Sequence, residues 1–253
     1  MSAFLLLFLV EYTNKMDNFS EHVGFQVWDG HNNLIGGDGR IVCKRNVCAV
    51  NPDAIGSHYD MISKFIEEQY DPKFHILLAS GDNITDLQKS MSLKQCKGIG
   101  EIFVLKHKNL YTTPIVNYNM LDIVREDLRP VYLHWDMIKD PEWERLEKFL
   151  RGHRSPVVLC HLGINKEFNN QKSVIKKFKK LQKEYDNLWG EISWDALDWV
   201  CKYPESIKGM DEDRIFTASD LAPLDNQNKR ELQIASMSGL ISSSNNIKKL
   251  FGI

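Results

Sequence analysis

The sequence predicts an α/β fold of the parallel barrel type, a TIM-like (β/α)8 barrel incomplete or distorted at its N-terminal end, and three observations predict it. From Phe74 onward, short apolar β-branched runs alternate with amphipathic stretches of helical period, the pattern of parallel strands joined by helical crossovers. The runs are continuously apolar rather than alternating, as expected of strands covered by helices on one face and by other strands on the other. Four of them also reach a carboxylate or an imidazole near their carboxyl ends, at Glu101, His134, His161 and Asp220. That is the rim where such folds place their chemistry.

A length of 253 residues suits one barrel domain over 1–253, with an irregular part over 1–72 and regular βα units over 73–253. The net charge of −2 gives no drive toward nucleic acid or anionic membrane. A small-molecule substrate is the expected partner, and assembly with further copies of the chain is compatible with the composition. The apolar run Phe4 to Val10 falls short of the roughly 20 residues a membrane span needs. It also lacks a basic flank before it and a small-x-small cleavage site after it, so it reads as a buried helix or strand. Five cysteines without a regular framework fit structural thiols in a reducing, cytoplasmic compartment.

Along the chain, Val23 to Trp28 reads as a strand, and the glycine-bearing stretch Asn32 to Arg40 opens into Ile41 to Cys43 or Val47 to Val50. Tyr59, Ile62, Phe65 and Ile66 set a helix that ends before Asp71-Pro72. Phe74 to Ser80 is a strand, and Asn83 or Thr85 caps a helix through Met91. Lys97 to Val104 is the next strand, Met120 to Glu126 a short helix, and Val131 to Trp135 a strand introduced by Pro130. Asp140-Pro141-Glu142 supplies N-cap, first helical residue and acidic first turn for a helix through Leu150. Pro156 to His161 is a strand in which Cys160 and His161 should point to opposite faces. A helix from Gln171 to Tyr185 follows, its lysines forming a solvated face, then a strand from Asn187 to Trp194 and a helix from Asp195 to Lys202. Arg214 to Asp220 is the last strand, and helices over Asn226 to Met237 and Ser244 to Phe251 close the chain. Six strands are counted from Phe74, so one or two more must come from the first seventy residues.

A βα unit takes about 30 residues, so Glu101, His134 and His161 fall one unit apart, Asp220 follows two units later with the Leu188 strand between, and all four emerge at one rim. Imidazole nitrogen and carboxylate oxygen suit a divalent metal, with zinc the first expectation and manganese or iron the alternatives. An open coordination position activates water, and a neighbouring carboxylate, here Asp220, takes its proton. Each residue also has a plainer reading, as a hydrogen-bonded imidazole or the cap of the next helix. Asp136 and Trp135 line the pocket or, for Asp136, satisfy loop amides. Glu191 is a supporting partner of the site or one member of a buried ion pair.

Gly98-Ile99-Gly100-Glu101-Ile102, Val131-Tyr132-Leu133-His134, Val158-Leu159-Cys160-His161-Leu162-Gly163 and Phe216-Thr217-Ala218-Ser219-Asp220, in this order, resemble the amidohydrolase superfamily of metal-dependent barrel hydrolases, particularly its amidohydrolase-related and TatD-like branches. Ser244 to Ile253 is similar to the helix that closes those barrels, and the resemblance covers Phe74 to Ile253. It implies that His134 and His161 bind metal, that Asp220 binds metal and accepts the proton, and that Glu101 can bridge two metals. The implied reaction is hydrolysis of an amide or ester bond of a small molecule, with a decarboxylase minority.

One departure stands out: the family's first strand carries a His-x-His pair, and none occurs here, His22, His31 and His58 being isolated. Met1 to Asn18 resembles the helix after such a strand. The chain is then a fragment or late-start product lacking that strand, or a member that has lost part of its metal site. A catalytically inactive barrel that binds a ligand or partner is the alternative from a different class.

Overall fold

The computed structural model describes residues 56–68, 70–72, 75–107, 113–218, 241 and 243–252, with the strand segments 21–24, 34–35, 41–43 and 46–49. The first strands are β1 (Glu21–Gly24), β2 (Leu34–Ile35), β3 (Ile41–Cys43) and β4 (Asn46–Ala49). The later strands are β5 (His75–Ala79), β6 (Cys96–Lys106), β7 (Ile115–Val116), β8 (Val131–Trp135), β9 (Val157–Leu159), β10 (Leu188–Ile192) and β11 (Ile215–Thr217). The helices between and after them are α1 (His58–Glu68), α2 (Ile84–Met91), α3 (Asn119–Val124), α4 (Asp140–Gly152), α5 (Gln171–Glu184), α6 (Trp194–Lys202) and α7 (Ser243–Phe251).

The strands pair in the order β1-β4-β5-β6-β8-β9-β10-β11, and each neighbouring pair on that path is parallel. This path holds eight parallel strands in chain order, consistent with an incomplete barrel of the TIM type. Among the described residues no pairing joins β11 back to β1. Two of the eight lie in the first seventy residues, as the count from Phe74 required. The first of them, β1, reads Glu21-His22-Val23-Gly24 and has no paired histidines. Short antiparallel additions, β7 on β6 and the β2–β3 pair, were not expected from periodicity, since two-residue strands carry none.

Side chains alternate across each strand, so the curled sheet has an apolar layer on each face. Ile76, Leu78, Tyr132, Val158, Trp189 and Phe216 face inward, and Ile247, Leu250 and Phe251 of α7 pack against them. The rings of Tyr132 and Phe251 stack with centroids 6.4 Å apart, so the closing helix packs against the inner layer. Outward-facing Leu133, Val157, Leu159 and Leu188 pack instead against Leu146 and Phe149 of α4 and Val174, Phe178 and Leu181 of α5. The lysines at 172, 176, 180 and 183 lie on the exposed face of α5, as its period dictates.

Where β6 crosses β8 the backbones approach closely. A Cβ at Gly100, whose φ is +137°, would lie 2.6 Å from Tyr132 Cβ and 2.7 Å from Tyr132 O. Only glycine fits there, and its register shift between Ile99 and Ile102 sets the placement of Glu101 against His134. The Asn83 side chain caps α2 by accepting from the Asp86 amide, while the helix expected to start beyond an Asp140 cap is instead capped at Lys139, one residue earlier. The Phe4 to Val10 run and the helix expected over Asn226 to Met237 lie outside the described residues. No helix of the described residues is long and apolar enough to cross a membrane.

A pH-dependent element sits at the end of α4. His153 is buried, stacks on Phe149 at 5.0 Å, and makes an Nδ1 contact of 3.0 Å with the Arg125 carbonyl. Burial holds its imidazole below the usual histidine range, against the smaller upward pull of that carbonyl. The unfolded chain therefore takes up a proton at a higher pH than the folded one. The contribution of His153 to stability is complete above the ordinary imidazole pKa and is lost as the pH falls through the folded value. Urea unfolding midpoints of wild type and His153→Phe, followed from pH 8 to pH 5, are expected to converge at the acid end; parallel curves would refute this assignment.

Candidate metal centre

Three neighbouring strands build the site. Glu101 lies in the middle of the long strand β6, His134 is the fourth residue of β8, and His161 follows β9. Glu101 and His161 are buried and His134 is half-buried. His134 Nδ1 lies 2.6 Å and His161 Nε2 3.5 Å from the same oxygen, Glu101 Oε1. The two imidazoles meet edge to face with centroids 4.9 Å apart. One ligand atom from each of the three residues falls within 4.8 Å of the others.

His161 reaches this place by a route that strand alternation does not describe. The strand was expected to run to His161, with Cys160 and His161 on opposite faces; it ends at Leu159, and 160–163 form a tight 3-10 turn. His161 and Leu162 take left-handed backbone angles, with φ of 53° and 54°, and Gly163 follows at +72°. Cys160 therefore packs with the inner layer while His161 still turns into the site. Non-glycine residues in this region cost on the order of 1–3 kcal/mol each, and such strain clusters at functional sites. The turn is held by Ile164 N–H donating to His161 O at 2.9 Å and Met137 N–H donating to Gly163 O at 3.0 Å.

The electrostatics follow from burial and pairing. Burial alone would raise the Glu101 carboxyl, but hydrogen bonds and charge from His134 and His161 outweigh it and hold Glu101 well below the usual carboxylate range. Burial likewise depresses His134, and its contacts with Asp136 and Glu101 overcome that and raise it. Asp136 Oδ1 lies 3.6 Å from His134 Nε2. Its other oxygen accepts from the His107 backbone N–H at 2.6 Å and from Asn165 Nδ2 at 3.0 Å. Asp136 thus satisfies loop amides, one of the two roles expected of it, and also faces the His134 ring, which was not expected.

Of the expected site residues, Glu101, His134 and His161 come together, and Asp220 lies outside the described residues. Trp135 does not line the pocket. It packs in the outer layer, and its Nε1–H donates to Glu142 of α4 at 2.7 Å, because the residue after an inward His134 must face outward. Glu191 is fully buried and reaches the site through Ser193, whose hydroxyl hydrogen-bonds both Glu191 Oε1 and His161 Nδ1. Ser193 was missed because a serine between a strand and a helix reads as an ordinary cap.

No protein-family model and no curated protein matches the sequence. Solved structures do match the fold. An amidohydrolase from Burkholderia multivorans with bound zinc superposes with a TM-score of 0.63 at 9% identity, over 93% of this chain and 99% of that one. A protein described as a probable 2-pyrone-4,6-dicarboxylic acid hydrolase from Acinetobacter baumannii, with citric acid bound, gives 0.57 at 14% identity, over 93% and 98%. Amidohydrolase 2 from Bifidobacterium longum subsp. infantis gives 0.54 at 12%, over 93% and 98%. The chain therefore has the fold of those amidohydrolases, with a cluster of one carboxylate and two imidazoles on and just after three neighbouring strands.

Proposed function

We propose that the chain belongs to the amidohydrolase superfamily and is a metal-dependent hydrolase that cleaves an amide or ester bond of a small molecule. The observation that carries this reading is the convergence of Glu101, His134 and His161 within 4.8 Å, from three neighbouring parallel strands. The donor set fits a divalent transition metal, since carboxylate oxygen with imidazole nitrogen is what zinc, manganese and iron accept. The protons that the three side chains share are those a metal would displace, so metal uptake is expected to release protons and to tighten as pH rises.

When bound, the metal would supply Lewis acidity and a water of lowered pKa. Glu101, His134 and His161 would hold it, and Asp220, by the order of strand ends, is our choice for the group that takes the proton from the attacking water. Asp136 fixes the His134 ring from the far side. Lys106, whose Nζ lies 4.0 Å from the Phe103 ring centroid, carries a positive charge on β6 three residues beyond Phe103, whose ring packs on His134. That charge favours a substrate bearing a carboxylate or developing negative charge.

The test is metal analysis of purified and reconstituted protein, followed by hydrolysis assays on panels of lactones, esters and amides in zinc, manganese and iron forms. A protein that retains no metal after reconstitution refutes the catalytic reading. A second reading, an inactive barrel that binds a ligand, is favoured by β1 itself, where Glu21-His22-Val23-Gly24 stands in place of a His-x-His pair. Metal-independent binding of a metabolite would support it. Product analysis separates hydrolysis from decarboxylation, because only hydrolysis incorporates oxygen from solvent.

A further inference from the structure

We propose that Ser193 and Glu191 form a buried relay that fixes the tautomer of His161, making Ser193 a positioning residue of the metal centre; this rests on the metal-binding reading above. Ser193 stands at the N-cap of α6, where a serine hydroxyl ordinarily accepts from an amide of the first turn. It makes no such bond. The hydroxyl is turned back into the barrel, 2.8 Å from His161 Nδ1 and hydrogen-bonded to Glu191 Oε1. The period of two along β10 and its continuation puts Glu191 and Ser193 on the same face. Both are fully buried.

The direction of the relay follows from counting protons. A hydroxyl has one, and a carboxylate only accepts. With the Ser193 proton directed to Glu191, the Ser193 oxygen can meet His161 only as an acceptor, so the proton of the neutral imidazole sits on Nδ1. Nε2 is then left with its lone pair, and Nε2 is the atom facing Glu101 Oε1 at 3.5 Å. A metal ligand needs that lone pair, and a hydrogen bond at the other ring nitrogen is the usual means of securing it. Backbone strain lies on both sides of the contact, at His161 and Leu162 and again at Trp194, whose φ is 45°. Left-handed geometry at non-glycine residues flanks the two partners that must meet, and the forgone cap at Ser193 adds a further cost at the same place.

The full-length protein, labelled with ¹⁵N-histidine and stripped of metal, tests this by long-range ¹H–¹⁵N correlation, with His161 identified by its loss in His161→Gln. Wild type is expected to show the Nδ1–H tautomer. Ser193→Ala should yield a tautomer mixture and bind zinc about 10- to 100-fold more weakly, and Ser193→Thr, which keeps the hydroxyl, should restore both readouts. An Nε2–H tautomer in wild type, or an unchanged tautomer and affinity in Ser193→Ala, overturns the relay. A role in capping alone would lower thermal stability and leave the tautomer untouched. If Ser193→Ala does not fold, the wild-type spectrum decides. Wild type that shows the Nδ1–H tautomer but takes up no zinc sustains the relay and refutes the metal reading instead.

Discussion

Replacing Glu101 with glutamine is expected to weaken zinc binding by two orders of magnitude or more while the protein remains folded. The substitution keeps shape and removes charge, at a buried carboxylate whose one oxygen is shared by His134 at 2.6 Å and His161 at 3.5 Å. A structural zinc site with four ligands is worth about 10–16 kcal/mol in total, so loss of one charged ligand corresponds to about 3 kcal/mol, on the order of 100-fold in affinity. Competition with a chromophoric chelator measures it directly. The metal-free protein should change as well. Glu101 lies well below the usual carboxylate range, through its imidazole partners and against burial. Its contribution to stability is therefore present above the ordinary carboxylate pKa and is lost as pH falls through the folded value. The glutamine variant should lack that acid-side loss, and His134, relieved of one of the two partners that raise it, should titrate at lower pH by NMR. Zinc affinity within threefold of wild type would remove Glu101 from the metal centre.

How much of this was legible in the sequence differs by element. The strands at Val131 to Trp135 and Leu188 to Ile192 were, because each is a short run rich in aromatic and aliphatic residues, too short for a helix and introduced by proline or asparagine. Glu101, His134 and His161 were legible as a set, since the interval of one βα unit puts them on successive parallel strands, although β6 runs on past Glu101 to Lys106. The path of His161 was not. Alternation puts Cys160 and His161 on opposite faces, but the strand stops at Leu159 and a left-handed turn reorients the chain. Nothing in a two-residue period encodes that turn, although Gly163 after the histidine marks where a strained one is affordable. Trp135 illustrates the converse, since the same alternation, applied with His134 inward, places it in the outer layer where it lies. The part played by Ser193 was concealed because the residue type that caps helices is also one that orients imidazoles. Only the unused capping position in three dimensions distinguishes the two.

The outer layer has its own buried carboxylate, and Glu142→Ala is expected to cost about 2–4 kcal/mol of folding stability through the loss of hydrogen bonds to a charged acceptor and the orphaned donors left behind. Glu142 is 7% exposed and accepts from Trp135 Nε1 at 2.7 Å, from Tyr118 Oη at 2.9 Å and from Arg145 Nη1 at 2.6 Å. The three contacts differ in weight. Arg145 keeps 49% of its side chain exposed and rehydrates when the pair is lost, so its ion pair adds little. Trp135 is fully buried, and its indole N–H would be left without an acceptor in the layer between β8 and α4. Glu142→Gln keeps an acceptor oxygen for that N–H and should cost only about 1 kcal/mol. The ordering alanine, glutamine, wild type in urea midpoint, at unchanged slope, is the expected result. A cost for alanine no greater than that for glutamine would show that the Trp135 contact contributes nothing. Because Trp135 and His134 alternate across one strand, the alanine variant should also reduce the precision with which His134 is held. Zinc affinity measured well below its unfolding midpoint is then expected to fall less than it does in Glu101→Gln, since a ligand is loosened there rather than removed.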